Sequence, residues 1–321
     1  MLSRRTLLAL GATLPAVPAL AQPHWPDRPV RLVVPFPAGS TPDIISRVVA
    51  QHLAGVLGQP VVADNRVGAG GNLGTDMVAK ATDGHTFGVS INGPLTTAPA
   101  LYPNLPYQPE RDLVPISLLA RAGQVLVVHP SLPCRTLEEF VAYGRANPTA
   151  LTYGSVGAGS GGHLAMEEIK ARGGFQAEHV PYRGFPQAVL DLVAGRINAM
   201  VLTVAGILPQ LRENQARALA VTSDARLPQL AEIPTLAESG MANATSYGWN
   251  GFVGPAATPP ERVALLAREA RAALLAPQAR QTLTTLGFEV VASSPEEFAA
   301  FMRQETSRWG ALIRTLGITA E

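Results

Sequence analysis

Residues 153 to 168, YGSVGAGSGGHLAMEE, crowd five glycines, two serines and a histidine between a short apolar run and a helix-like pattern. Several chemistries use such residues. Gly157-Ala158-Gly159-Ser160-Gly161-Gly162 satisfies G-x-G-x-x-G, with Glu178 about twenty residues on, where a dinucleotide site places the acid that holds a ribose. A nicotinamide oxidoreductase using 157–162 is therefore one reading. Against it, "ALTYGS" is polar for the buried first strand of such a domain, and Glu178 falls at the start of its strand rather than at the carboxyl end. A Walker-type phosphate loop wants lysine where Ser160 stands. Ser160 and His163 offer a nucleophile and a base, but they sit three apart on one helical turn, with Ala158 where G-x-S-x-G wants glycine. What remains needs no charged side chain: unpaired backbone N–H groups at a glycine-rich helix start, aided by the helix dipole, bind an anion such as a carboxylate. The plainer alternative is that the glycines only permit tight strand-to-helix packing.

Three further turns repeat the chemistry: Phe36-Pro37-Ala38-Gly39-Ser40-Thr41-Pro42-Asp43, Asn65-Arg66-Val67-Gly68-Ala69-Gly70-Gly71-Asn72 and Ser90-Ile91-Asn92-Gly93. In parallel α/β sheets such turns lie at the carboxyl ends of strands, where ligands bind.

The elements that must position these turns follow from periodicity. Short β-branched runs alternate with amphipathic segments: strand 30–36, helix 41–57, strand 60–64, helix 72–81, strand 87–91. After the continuous apolar run QVLVVH at 124–129 comes a second series: helix 136–146, strand 151–155, helix 160–172, strand 178–182, helix 184–194, strands 197–202 and 217–222. A strand at 249–254, a proline-started helix and a last helix at 295–316 follow. This is an α/β chain of two units, each expected to be a mainly parallel sheet flanked by helices. The C-terminal segment has too few strands for a third unit. The boundaries read as 22–123 plus 224–321 for lobe 1 and 124–223 for lobe 2, with hinges at the crossovers near 124 and 222.

Composition narrows the classes. The chain is 47% hydrophobic and 15% charged, which argues against disorder. Met1–Ala21 has paired Arg4 and Arg5, a short proline-broken apolar middle and an Ala19-Leu20-Ala21 end, the form of a cleaved secretory signal of twin-arginine type. Without Arg4 and Arg5 the count is 23 basic against 24 acidic side chains, a net charge near −1, which gives no electrostatic case for nucleic acid. The single Cys134 allows no internal disulfide, and six scattered histidines show no zinc spacing, so no metal is expected.

Taken in order, "RLVVPFPAGSTPDIISR", "LGQPVVADNRVGAGGNLGTDMVAKATDGHTF", "VLVVHPSLP", "LTYGSVGAGSGGHLAMEE", "HVPYRG", "RALAVTS", "WNGFVGPAATPPERV" and "SSPEEFAAFMRQE" resemble the Bug family, the periplasmic solute receptors of tripartite tricarboxylate transporters. The resemblance covers essentially the whole mature chain. It implies a two-lobed periplasmic-binding-protein fold of type II that closes on a small organic acid: a di- or tricarboxylate, an acidic amino acid or an aromatic carboxylate. It also implies delivery to a membrane permease and no catalysis; report of the liganded form to a sensor kinase is a further reading within the binding class, a near-neutral exported receptor is expected to be a monomer, and no cofactor is expected. Carried onto this chain, the lobe 1 ligand cup is Pro37, Gly39, Ser40 and Asp43 with Ser90 and Asn92. Asp43 is expected to cap backbone donors rather than meet an anion. The lobe 2 cup is Ser155, Gly157, Gly159, Ser160 and His163 with Thr203 and Val204. Ser155 and Ser160 are the expected hydroxyl donors; His163 either donates from its ring or braces the turn. Arg66 and Arg183 are expected in solvated or helix-bracing roles. Three departures stand out: Pro42 for the usual threonine or glycine, His85 for tyrosine, and Leu202-Thr203-Val204-Ala205 where many relatives carry Asp-Asn-Leu-Pro. The last makes the lobe 2 wall more apolar and leaves room for a ligand with an aliphatic or aromatic body.

Overall fold

The computed structural model describes residues 25–320, so the expected export signal lies outside the described residues. The strands are β1 (Val30–Val34), β2 (Val61–Asn65), β3 (Thr86–Ile91), β4 (Leu113–Val128), β5 (Thr152–Ser155), β6 (Glu178–Pro181), β7 (Ala199–Thr203), β8 (Arg217–Val221), β9 (Tyr247–Pro255) and β10 (Phe288–Val290). The helices are α1 (Thr41–Leu57), α2 (Asn72–Ala79), α3 (Ala98–Leu101), α4 (Pro109–Asp112), α5 (Leu137–Ala146), α6 (Gly161–Gly173), α7 (Phe185–Val193), α8 (Leu208–Arg212), α9 (Pro260–Leu275), α10 (Pro277–Thr285) and α11 (Pro295–Leu316). No described helix is long and apolar enough to cross a membrane.

The two halves share one strand. From Leu113 to Gly123, β4 pairs with β9; from Gln124 to Val128 it pairs with β7. The first half runs β2-β1-β3-β9-β4 with β10 also on β4, and the second runs β4-β7-β5-β6 with β8 also on β4. The expected βαβ pairings are present and parallel: β1–β2, β1–β3, β5–β6 and β5–β7. The remaining pairings, made by β4 and β9, are antiparallel, so each half is a mixed sheet rather than a mainly parallel one. Neither of those two long strands closes a βα crossover, and so neither is bound to run parallel.

Helices cover the sheets through regular apolar faces. In α1, Ile45, Val49, Leu53 and Leu57 recur every four residues and are buried against Phe87, Phe252 and α9. Each fully buried leucine or isoleucine there contributes about 1.5–3 kcal/mol relative to exposure. Gly58 ends the helix in the left-handed region and donates to Ala54 O at 3.2 Å.

In the second half, one cluster packs α5 and α6 around Tyr153 and Val201, and another packs α7 around Met200 and Leu202. These clusters also take Leu230, Leu236 and Ala244. Residues 228–244 therefore pack with the second half, and the chain crosses back at Ser246–Tyr247, not at 224. The crossovers are tied together by polar residues: Thr222 N donates to Gln124 O at 2.8 Å, Ser246 N to Thr222 O at 2.9 Å, and Thr222 Oγ1 to Ser246 O at 2.7 Å.

Candidate functional site

The turns after β1 and β5 deliver the starts of α1 and α6 to one hollow in the seam between the halves. Thr41 lines it from α1; Ser160, Gly161 and Gly162 line it from α6. Ser40 and Ser160 are the N-cap residues, both extended (φ −71°, ψ 161° and φ −64°, ψ 156°), and neither side chain caps its own helix. A serine in that position normally accepts from the second or third amide of its helix. Here both hydroxyls are buried and, among the described residues, have no hydrogen-bond partner. Thr203 Oγ1 and Asn250 Oδ1 are in the same condition.

Intrahelical bonding begins at the N-cap carbonyls, with Ile44 N to Ser40 O and Leu164 N to Ser160 O, each 3.0 Å, which leaves the first-turn amides to other partners. Among the described residues no acceptor is recorded for the N–H groups of Thr41, Asp43, Gly162 and His163. Two helix starts therefore offer amides and hydroxyls along the seam, α6 with Ser160 to this hollow and α1 with Thr41 to it and Ser40 to an adjoining cleft, and the partial positive charge of each dipole favours an anion there. No charged side chain lines the hollow, whose volume is about 310 Å3 with its mouth included. The space in it open to a water-sized body is about 20 Å3, room for about one water, so the lobes must part to admit a solute.

The expected residues divide sharply. Asn92, Ser160 and Thr203 line the hollow. Gly39 and Ser40 line an adjoining cleft between α1 and α7. Asn92 Oδ1 accepts from Gly161 N at 3.2 Å, and Thr97 Oγ1 donates to Gly159 O at 2.8 Å, so two bonds cross the seam here. Pro37 crosses it too, its ring packing on Gly184. Asp43 accepts from Gly39 N at 2.9 Å, from Asn65 at 3.0 Å and from Arg47 in a two-point pair. Burial alone would raise its carboxyl, but these hydrogen bonds outweigh it and hold the pKa below the usual range.

Four residues lie elsewhere. Ser90 Oγ sits 3.1 Å from Thr75 Oγ1 beneath α2. Val204 belongs to the apolar cluster under α7. Gly157 lines a separate groove with Gly68–Gly71 and the exposed Arg183. Ser155 is engaged within its own turn: it accepts from Gly157 N at 3.1 Å and sits 2.7 Å from His179 Nε2. Arg66 pairs with Asp64 at 2.9 Å.

His163 braces the turn, since its Nδ1 accepts from Gly159 N at 3.1 Å. Its ring lies 4.2 Å, centroid to centroid, from His179, which stacks on Tyr153 at 5.0 Å. Burial, helped by the neighbouring His179 and Lys170, lowers the His163 pKa to about 3. Burial lowers that of His179 to about 4, with Glu167 opposing and Lys170 assisting. Both rings are neutral near pH 7. Tyr153 donates to Glu167, which also pairs with Lys170 at 2.6 Å. This satisfied network explains why "ALTYGS" forms a buried strand after all, with Tyr153 and Ser155 at 0% exposure. The other objection to a dinucleotide site stands: Glu178 opens β6 opposite Thr152, while the carboxyl end of β5 is Ser155, opposite Pro181.

Gln124, Phe185, Gly248 and Trp249 also line the hollow and were not singled out from the sequence. Gln124 and Trp249 read as ordinary strand residues, and Phe185 as the apolar start of a helix. The one available signal was that Gln124 begins at the crossover.

Comparison with known proteins agrees with this geometry. The family model for the tripartite tricarboxylate transporter family receptor matches residues 45–318. A UPF0065 protein in the tcbD-tcbE intergenic region of a Pseudomonas species is 40% identical, covering 97% of this chain and 93% of that one. Protein BugT of Bordetella pertussis is 34% identical, covering 97% of each. Among solved structures, R. palustris Rpa4515 with adipate superposes with a TM-score of 0.88 at 34% identity, covering 92% of this chain and 99% of that one. MatC from Rhodopseudomonas palustris with bound malate superposes with a TM-score of 0.86 at 32% identity, covering 90% and 99%. The chain has the two-lobed fold of periplasmic solute-binding proteins and belongs to the tripartite tricarboxylate transporter receptor family, the Bug receptors.

Proposed function

We propose that this protein is an exported receptor that captures a small organic carboxylate between its lobes and passes it to a membrane permease, performing no reaction. One observation carries the reading. Two serine N-caps, Ser40 and Ser160, leave their own helices uncapped and stand buried and unpartnered at opposed helix starts. The adipate and malate held by relatives of the same fold support the ligand class. Each hydrogen bond to a charged group nets about 1.5–3 kcal/mol, so three or four approach the roughly 8 kcal/mol of a micromolar complex.

The ligand cup consists of Ser40, Thr41 and Asn92 on one side and Ser160, Thr203 and the first-turn amides of α6 on the other. Asp43 and His163 hold the two turns in shape. The lobes are residues 25–123 with 246–320, and 124–245, hinged at Gln124, Thr222 and Ser246. The paired arginines and apolar middle read at residues 1–21 support a periplasmic location.

A thermal-shift panel of organic acids beside NAD and NADP tests the reading. An acid at a hundred times its dissociation constant adds about 2.7 kcal/mol, a rise of several degrees at roughly 2–4 °C per kcal/mol for a chain of this size. Stabilisation by a nicotinamide nucleotide with every acid inert contradicts it.

A further inference from the structure

The chain passes between the halves twice, entering the second at Gln124 and leaving it at Ser246, and one side chain touches both passages and the hollow. Gln124 is 2% exposed and lines the hollow. Its Oε1 accepts from the buried Ser246 Oγ at 3.3 Å, which ties the outgoing passage to the returning one. Its backbone is held as well, since Gln124 N donates to Thr222 Oγ1 at 3.3 Å and Gln124 O accepts from Thr222 N.

The other end of this carboxamide is unused. Among the described residues Gln124 Nε2 makes no hydrogen bond, although the amide nitrogen of a buried glutamine carries two donors and normally spends them. The group lies against the start of α6: a Cβ added at Gly161 would stand 3.2 Å from Gln124 Nε2 and 3.4 Å from Asn92 Nδ2, and one added at Gly162 would stand 3.9 Å from Gln124 Nε2. Asn92 engages α6 only through its Oδ1, which accepts from Gly161 N, and its Nδ2 is without an acceptor among the described residues. Two carboxamide NH2 groups therefore converge on the first residue of α6, in the same hollow as the unpartnered hydroxyls of Ser160 and Thr203. Donors that lack acceptors beside a helix start suit a carboxylate oxygen.

We propose that Gln124 binds the ligand and transmits its arrival to the hinge: Nε2 donates to the carboxylate while Oε1 holds Ser246. The inference rests on the carboxylate reading above and adds a residue that reading does not use. Asn92 belongs to the first half and Gly161 to the second, so a carboxylate reaches both NH2 groups and the α6 amides together only when the lobes are shut. A contact made in one state alone shifts the equilibrium towards that state. An anion at Nε2 also fixes the orientation of the carboxamide, and with it the bond that ties the two passages to each other.

The test is calorimetric titration of the mature chain with adipate, malate and phenylacetate, followed by titration of Gln124→Met, Ser246→Ala and the double variant with whichever of these acids binds most tightly. Methionine keeps the length and burial of glutamine but offers no donor. Gln124→Met is expected to weaken binding roughly 10- to 100-fold. Ser246→Ala, which does not line the hollow, is expected to weaken binding severalfold when Gln124 is present and to change nothing further in the Gln124→Met background. Gln124→Met binding as tightly as the unmodified chain, with only the melting temperature of its unliganded form lowered, overturns the inference and leaves the carboxylate reading standing. Ser246→Ala with unchanged affinity, or with the same loss in both backgrounds, overturns the link to the hinge. If the unmodified chain binds none of the three acids, both readings fall.

Discussion

Ser160 and Ser294 occupy the same position at the starts of α6 and α11 and do different things. Ser294 Oγ accepts from Glu297 N at 3.1 Å while Glu297 Oε2 accepts from Ser294 N at 2.8 Å, a complete capping box. Ser160 makes no such bond. Ser294→Ala should therefore cost about 1 kcal/mol of stability, a few degrees of melting temperature, and leave ligand affinity unchanged. Ser160→Ala should change stability by less than about 0.5 kcal/mol in the unliganded protein but weaken binding by about 1.5–3 kcal/mol, roughly 10- to 100-fold. Melting curves and calorimetry on the two variants separate these outcomes. The sequence marks both serines as helix starts; which one is capped depends on the residue three positions on, Glu297 in one case and His163 in the other. Ser90, Ser155 and Val204 looked equally suited to the cup, yet their side chains turn into α2, the β5 turn and the α7 core. The direction in which a residue faces at the end of a strand is set by sheet register, which depends on partners far away in sequence.

At the scale of elements, the β5–α6 unit ties ligand geometry to closure. Gly159 has φ +78°, and a Cβ there would overlap Leu101 Cδ1 and lie 2.6 Å from Thr97 Oγ1, both across the seam. Gly159→Val should thus lose most of its ligand affinity. The unliganded protein, free to open, should lose only the backbone strain of about 1–2 kcal/mol. Equal loss of stability with affinity intact would favour the packing role of the loop. The same unit carries a pH signature. His163 and His179 titrate at about 3 and about 4 in the folded state and near 6.5 when unfolded, so below pH 6.5 the unfolded chain binds protons that the folded chain refuses. Stability is full above pH 6.5 and falls as the pH drops towards 4, with a slope approaching about 2.7 kcal/mol per unit for the two rings. His179→Gln should remove about half of that slope in denaturant titrations at pH 5 and 7. Helices and strands of the βαβ rhythm were legible because their apolar spacing is regular. By contrast α10, with Leu283 as its only buried residue, and the three-residue β10 carry too little pattern to be read. The length of β4 was hidden by Pro115, which sits at a register shift, and by Gly123.

For the whole molecule, the halves are joined through β4 and the return crossover at Ser246, and their contact at the seam combines a few hydrogen bonds with an apolar cluster in which Leu164 of α6 packs against Leu101, Trp309 and Ile313. Asn92 to Gly161 and Thr97 to Gly159 are bonds that opening would break, together with the packing of Leu164 on Leu101, Trp309 and Ile313, while the larger clusters within each half stay intact. The radius of gyration measured by small-angle scattering should therefore fall when a bound acid holds the lobes shut. The two-lobed plan was legible from the apolar run at 124–129 and from the order of motifs. The return crossover was misplaced because Leu230, Leu236 and Ala244 declare their lobe only through contacts with strands that precede them. The most direct test of the central claim is a crystal structure of the mature protein with a bound organic acid. The account predicts a carboxylate oxygen within about 3.2 Å of Ser160 Oγ and of a first-turn amide of α1 or α6, with the lobes closed around it. An acid bound instead in the groove beside Arg183, with Ser160 and both helix starts left to solvent, would contradict it.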